Sequence, residues 1–311
     1  MKKIGVQYSV AKENPESHRK PLQNNDGADI IYPETIRKKE KSRKMNTIPK
    51  VTPCDCHLHT DNSFDSETPA ERLAERAREL KINYIAITDH CDILEWSDEN
   101  IARSNAQAAE LNEKYSDLTV LRGIELGEPL QAPEQTSIAL NLCEYDFILC
   151  SLHNIANEED FYFLHPDRQQ AQELIRRYFD ELLETVRWNR FDSLAHFTYP
   201  LRYITDRDGV QVDMARYKPV IREILATLAA NGKALEINTS GLRSPTGFLL
   251  PTVEYIREFR ELGGRYITLG SDAHVPEHMA VGMREGIAAA KQAGFDCATV
   301  FINRQPVEIP L

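Results

Sequence analysis

From residue 51 onward the chain alternates short apolar runs with longer stretches in which apolar positions recur every three or four residues. The first kind reads as buried strands, the second as helices packed by one face. Val51 to Cys54 leads into Asp55–Thr60 as the end of a first strand entering a loop. Thr68-Pro69 then opens a helix, with Thr68 as cap, Pro69 in the first turn, and Leu73, Ala77 and Leu80 on one face. A short buried strand over 83–88 is followed by a helix near 100–115 and by strands over 118–125 and 146–153. A helix over 169–188 precedes a brief strand at 193–196, and a helix over 213–231 stops at Asn231-Gly232. Strand 234–238, helix 251–262, strand 266–270, helix 282–293 and strand 298–302 complete the order. Residues 1–48 have neither period and are lysine-rich near 37–44, a composition that does not order by itself. They are expected to be an extension, disordered or the product of an upstream start before Met45. One domain is expected over 49–311.

Strands alternating with helices through short loops predict a parallel sheet with helices outside it. The polar residues decide between an open sheet and a closed one. Six of the nine histidines, His57, His59, His90, His153, His196 and His274, fall at predicted C-terminal strand ends, accompanied by Asp65, Glu125 and Asp272. In an open sheet the outer strands lie too far apart to share one site, whereas in a barrel all C-terminal ends meet at one mouth. The pattern therefore predicts an α/β barrel. Alternate residues of a strand share a face, so His57 and His59 point into one site. Unpaired polar groups are costly to bury, and nine such ligands match two or three bridged metal ions. His18, His165 and His278 fall outside the pattern and are read as loop or solvent residues.

Charge narrows the partners. The chain of 311 residues has a formal net charge of −11, although residues 1–44 carry eleven Lys or Arg against six Asp or Glu. The rest is more acidic still, which disfavours nucleic acid and anionic membranes as partners. An anionic substrate then needs metal cations or a few placed arginines. Six cysteines show no C-x-x-C and no disulfide framework, which suits reduced thiols in a cytoplasmic protein. No apolar run approaches the ~20 residues of a membrane span, and no signal-peptide core follows Met1-Lys2-Lys3.

The motifs D-x-H-x-H at 55–59, T-D-H at 88–90, G-I-E-L-G at 123–127, S-L-H at 151–153, A-H at 195–196 and S-D-A-H at 271–274 carry a resemblance. Together they resemble the PHP (polymerase and histidinol phosphatase) superfamily, from about 52 to 303. More narrowly, the stretches 195–203, 233–243 and 263–274 are similar to histidinol-phosphate phosphatases. The resemblance implies a distorted seven-stranded (β/α) barrel with a trinuclear site at the C-terminal ends of the strands. Carried over residue by residue, His57, His59, Glu125 and Asp272 would hold one ion. Glu125, His153 and His196 would hold a second, and Asp65, His90 and His274 a third. Some relatives have histidine where Asp65 stands. Arg202 and Arg243 are the expected phosphate ligands, since guanidinium fits phosphoryl oxygens bidentately. Relatives can place the second arginine where this chain has Ser240. The implied reaction is metal-dependent hydrolysis of a small phosphomonoester, first of all L-histidinol phosphate, with His274 a candidate proton donor. Imidazole and carboxylate ligands suit Zn, Mn or Fe. A nucleotide or other phosphate ester is the alternative substrate, and a non-catalytic regulatory module the third reading.

Overall fold

Short strands rich in apolar residues bury on both faces only when helices cover one side and packed side chains fill the other. Eight strands do this in a computed structural model of the chain, which describes residues 52–92, 97–244 and 247–311. They are β1 Cys54–Leu58, β2 Tyr84–Ile87, β3 His90–Cys91, β4 Thr119–Gly127, β5 Phe147–Ser151, β6 Ser193–Leu194, β7 Ala234–Asn238 and β8 Tyr266–Gly270. All pairings are parallel, in the order β1-β2-β4-β5-β6-β7-β8, with the two-residue β3 pairing the far end of β4. The chain beyond β8 turns back to β1: Leu58 bridges Ala273, Asp272 N donates to His57 O at 2.9 Å, and His59 N donates to Ala273 O at 3.0 Å. Seven parallel strands thus form a nearly closed barrel, as the strand-end ligands predict. The expected extension, residues 1–48, lies outside the described residues.

Helices α1 Ala70–Glu79, α2 Asp98–Lys114, α3 Pro133–Leu142, α4 Arg168–Trp188, α5 Lys218–Ala230, α6 Val253–Glu261 and α7 Met283–Gln292 alternate with the strands. The longest, α4, starts on a capping box between Asp167 and Gln170 and buries a stripe of Leu174, Ile175, Tyr178, Phe179 and Leu182. One expectation needs correction, and two elements were not read. Thr68 does not cap α1; its hydroxyl donates to His274 O at 2.9 Å, tying the helix start to the β8 loop. Helix α3 escapes the periodic pattern because only Thr136 and Ala139 bury from it. Strand 298–302 is one arm of a hairpin, β9 Cys297–Ile302 with β10 Gln305–Pro310, whose prolines and polar residues hide its strand character. Cys54 and Cys56 alternate with Asp55 and His57 and sit in the apolar core with Leu58. Among the described residues no helix is long and apolar enough to cross a membrane.

The β9–β10 turn closes the end of the barrel opposite the histidines. Asn303 and Arg304 both take positive φ, as a two-residue hairpin turn requires. Asp146, just before β5, accepts from Asn303 N at 3.0 Å, and Asp192, just before β6, accepts from Arg304 Nε and from Ile148 N at 2.8 Å. Replacing the buried Asp192 by alanine strands the Ile148 amide and a half-buried guanidinium. Asp192→Ala is expected to destabilise the fold by about 3 kcal/mol in urea unfolding. A loss below about 1 kcal/mol would deny the hairpin this anchoring role.

Candidate metal centre

At the C-terminal mouth the strands bring all nine predicted ligands together around Glu125, which projects from β4. Glu125 Oε2 lies 3.2 Å from His57 Nε2, 3.5 Å from His59 Nε2 and 3.1 Å from His90 Nδ1. Its Oε1 lies 3.2 Å from His153 Nε2 and 2.9 Å from His196 Nε2. Asp272 Oδ1 sits 3.8 and 3.5 Å from Nε2 of His57 and His59. Asp65 Oδ2 lies 2.9 Å from His274 Nε2, and its Oδ1 3.7 Å from His90 Nε2. Arg202 Nη1 reaches Ser240 Oγ at 3.1 Å and Asp272 Oδ2 at 3.8 Å. Arg243 donates to the backbone oxygens of Ser271 at 2.6 Å and Asp272 at 2.9 Å, so two of its donors hold the loop that carries Asp272.

The donor set fits divalent cations. His57 Nε2, His59 Nε2, His90 Nδ1 and Glu125 Oε2 are buried without a hydrogen-bond partner. Each orphaned buried polar atom costs roughly 1–3 kcal/mol, and here several are aimed at one another. Four overlapping trios among these residues have ligand atoms within 4.8 Å of one another: His57, His59 and Glu125; Glu125, His153 and His196; His59, His90 and His274; and His90, Asp92 and His153. A cation between the lone pairs removes the cost that their mutual proximity creates.

The outer ring of hydrogen bonds fixes which nitrogen faces inward. Glu236 Oε1 accepts from His57 Nδ1 at 2.7 Å, which leaves His57 Nε2 bare. Ser63 Oγ donates to Asp89 at 2.7 Å and accepts from His90 N at 3.1 Å. Its remaining lone pair takes the His59 Nδ1 proton at 3.1 Å, so His59 also presents Nε2. His274 Nδ1 donates to Asp272 O at 3.2 Å, with the same result. Glu236 Oε2 in addition accepts from His196 N at 2.7 Å. Strand β8 can pass this close only because residue 270 is glycine, where a Cβ would meet Glu236 Oε1 at 2.2 Å and His57 Cβ at 2.6 Å.

Charge in the cluster follows the same geometry. Burial works to raise the Glu125 carboxyl, but His57, His153 and His90 outweigh it and hold it well below the usual carboxylate range. Burial likewise opposes ionisation of Asp272, and His57 and His59 hold it well below its ordinary value. His59 is pushed by burial, and then by His274 and His90, down to about 4, a neutral imidazole suited to ligation. His196 and Asp272 both carry positive φ, 21° and 54°, backbone conformations that persist only where surrounding bonds over-determine them.

Several contributors were not singled out from the sequence. Glu236 lies mid-strand in Ala234–Asn238, where a buried carboxylate between Leu235 and Ile237 was itself a signal. Asp92 Oδ2 stands 3.5 Å from His90 Nδ1 and 3.3 Å from His153 Nδ1. Glu128 accepts from His153 N at 2.6 Å, and burial, with Asp92 nearby, pushes its carboxyl up to about 8. Asp89, left out of the expected ligand set, accepts from Thr60 N at 2.6 Å, from Ser63 Oγ and from Ser104 Oγ at 2.6 Å, locking the loop that carries His59. His165, read as a loop or solvent residue, is exposed beside Asp208. Because Glu236 orients two ligand-bearing strands, Glu236→Ala is expected to weaken metal retention by about 10–100-fold in a chelator titration, with the far-ultraviolet spectrum unchanged. Unaltered retention would show that His57 needs no such partner.

Residues 55–240 match the PHP domain. The chain is 30% identical to a probable histidinol-phosphatase of Clostridium acetobutylicum, over 76% of this chain and 92% of that protein. It is 29% identical to a probable histidinol-phosphatase of Thermotoga maritima, over 79% of this chain and 94% of the relative. The histidinol-phosphatase of Lactococcus lactis is 28% identical, over 78% and 91%. A crystal structure of the histidinol phosphate phosphatase from Lactococcus lactis, complexed with Zn, L-histidinol and phosphate, superposes with a TM-score of 0.72 at 24% identity, covering 83% of this chain and 99% of that one. That likeness is one of fold, and the sequence match supplies the kinship. The chain belongs to the PHP domain family.

Proposed function

We propose that this protein is a metal-dependent phosphatase that hydrolyses L-histidinol phosphate to L-histidinol and inorganic phosphate. The observation that carries the reading is the cluster of partnerless buried imidazole and carboxylate atoms around Glu125, with Arg202 beside it. The relatives named as histidinol-phosphatases, matched over most of their length, support the substrate. The reaction is assigned to the barrel, residues 49–311.

In this reading His57, His59, Glu125 and Asp272 hold one ion, Glu125, His153 and His196 a second, and Asp65, His90 and His274 a third. Such ions supply Lewis-acid polarisation of phosphoryl oxygens and lower the pKa of water, and imidazole–carboxylate sets suit Zn, Mn or Fe. The chain's own residues then bind and orient. Arg202 commits one contact to Ser240 and retains donors for phosphoryl oxygens, where negative charge gathers. Arg243 is assigned chiefly to holding the Ser271–Asp272 backbone, with its remaining N–H groups available to the same phosphate. His274 keeps its Nδ1 proton on Asp272 O, so Nε2 is its functional atom. One atom cannot both ligate an ion and carry a proton to the leaving alcohol, and ligation is the role proposed.

Metal-replete protein is expected to release phosphate from L-histidinol phosphate with a kcat/KM of at least about 10⁴ M⁻¹s⁻¹. Release from nucleoside monophosphates with none from histidinol phosphate would replace the substrate assignment. Arg202→Ala is expected to lower kcat/KM by about 10²–10³-fold, and Arg202→Lys to restore only part of it. Full activity in Arg202→Ala would remove the arginine from phosphate binding.

A further inference from the structure

The two-residue strand β3 does more than set His90 beside Glu125. In its parallel register with β4, His90 pairs with Glu125 and Cys91 with Leu126, so the next position, Asp92, runs beside Gly127. Alternate residues share a face, which puts Asp92 on the side of His90 and Gly127 on the side of Glu125. The missing side chain at 127 is what admits the carboxyl. A Cβ there would overlap Asp92 Oδ1 and meet its Cγ at 3.1 Å. The second glycine of G-I-E-L-G thus makes room for an acidic group against the metal cluster.

His153, just past the end of β5, reaches the same corner. Its Nε2 faces Glu125 Oε1 at 3.2 Å and His196 Nε2 at 3.3 Å, so Nδ1 points outward. Asp92 Oδ2 stands 3.3 Å from that nitrogen, and Glu128 Oε1 3.9 Å from it. Glu128 Oε1 is already engaged by the backbone N–H groups of His153 at 2.6 Å and Asn154 at 3.4 Å. The Asp92 oxygen also lies 3.5 Å from His90 Nδ1, but that nitrogen has Glu125 Oε2 nearer, at 3.1 Å. His153 Nδ1 and Asp92 Oδ1 are both buried without a hydrogen-bond partner. Among the described residues no Lys or Arg forms an ion pair with Asp92. A desolvated carboxylate and a bare ring nitrogen this close both cost less when the nitrogen carries a proton toward the carboxylate.

We propose that Asp92 is a positioning residue that accepts the Nδ1–H of His153 and so presents Nε2 to the ion assigned to Glu125, His153 and His196. The proposal rests on that assignment and gives His153 an orienting carboxylate, as Glu236 orients His57. A neutral imidazole carries one proton, so fixing it on Nδ1 leaves the lone pair on Nε2. Asp92 acts only through this ring. Without it the ring is free to turn and to carry its proton on Nε2, which closes that atom to ligation. The other imidazole of the trio, His196, has a buried Nδ1 with no hydrogen-bond partner, so the trio depends on His153 being held.

The test uses the Zn-loaded full chain and three variants. Asp92→Ala removes the acceptor, Asp92→Asn restores a neutral one, and Gly127→Ala fills the space that the carboxyl occupies. Zn retention is followed by chelator titration, and the histidine ring nitrogens by heteronuclear NMR, with His153 assigned by its loss in His153→Gln. Asp92→Ala is expected to weaken one step of Zn retention by about 10–100-fold and to leave the other steps within about 3-fold. In that step the Nε2 signals of His153 and His196 should move to the free value while those of His57 and His59 keep the bound one. A slowly exchanging His153 Nδ1 proton should be seen in the unmodified chain and in Asp92→Asn, and be absent from Asp92→Ala and Gly127→Ala. Asp92→Asn should recover retention to within about 5-fold, because an amide oxygen still accepts the proton. Equal weakening of every step would reduce Asp92 to a structural residue and overturn the proposal. Retention in Asp92→Asn as poor as in Asp92→Ala would overturn it too, making the Asp92 carboxylate a direct ligand, and so would unchanged retention in both. Zn retention that depends on Asp92, without phosphate release from L-histidinol phosphate, would instead sink the substrate assignment and leave the positioning role standing.

Discussion

Glu125 is a carboxylate without access to water, placed at the centre of five imidazoles. Desolvating such a charge costs several kcal/mol, and the cost is recovered only with well-placed opposite charge. The rest of the mouth is arranged to meet that condition. Strand β4 extends past its pairing with β2 to join β3, which sets Glu125 opposite His90. The return of the chain after β8 onto β1 brings Asp272 to His57 and His59. A barrel is required because these groups come from strands that an open sheet would hold apart.

Around this centre lies a ring of hydrogen bonds whose work is to orient. Glu236 fixes His57 and the backbone of His196, Ser63 and Asp89 fix His59, and the Asp272 carbonyl fixes His274. The bonds to the His57, His59 and His274 rings take the outward nitrogen and leave Nε2 facing the cluster. At the opposite end of the barrel Asp146 and Asp192 are spent on the hairpin turn. Function and anchoring are thus segregated to the two ends of the same strands.

Much of this was legible in the chain because ligands are chemically conspicuous and strands are periodic. His57-x-His59 alone named nothing, but its repetition at successive strand ends required a shared mouth and so a barrel. The orienting residues were harder to read. Glu236 sits inside an apolar strand, where a carboxylate is a signal but its partners are not legible, and Asp89 stood outside the ligand set until its hydroxyl and amide donors on Thr60, Asn62, Ser63 and Ser104 were in view. Helix α3 hides because it buries little, and β10 because proline and charge dilute its pattern. Arg243, expected as a phosphate ligand, also gives two donors to the Ser271–Asp272 backbone, a tertiary commitment that no spacing reveals.

The account stands on Glu125 being shared between cations. Anomalous diffraction from crystals of the purified, metal-reconstituted protein, recorded at the Zn, Mn and Fe edges, tests this most directly. The account predicts two or three peaks at the barrel mouth, two of them about 2.0–2.2 Å from separate oxygens of Glu125. A map in which no ion touches Glu125, its oxygens instead hydrogen-bonded to protonated histidines, would contradict it.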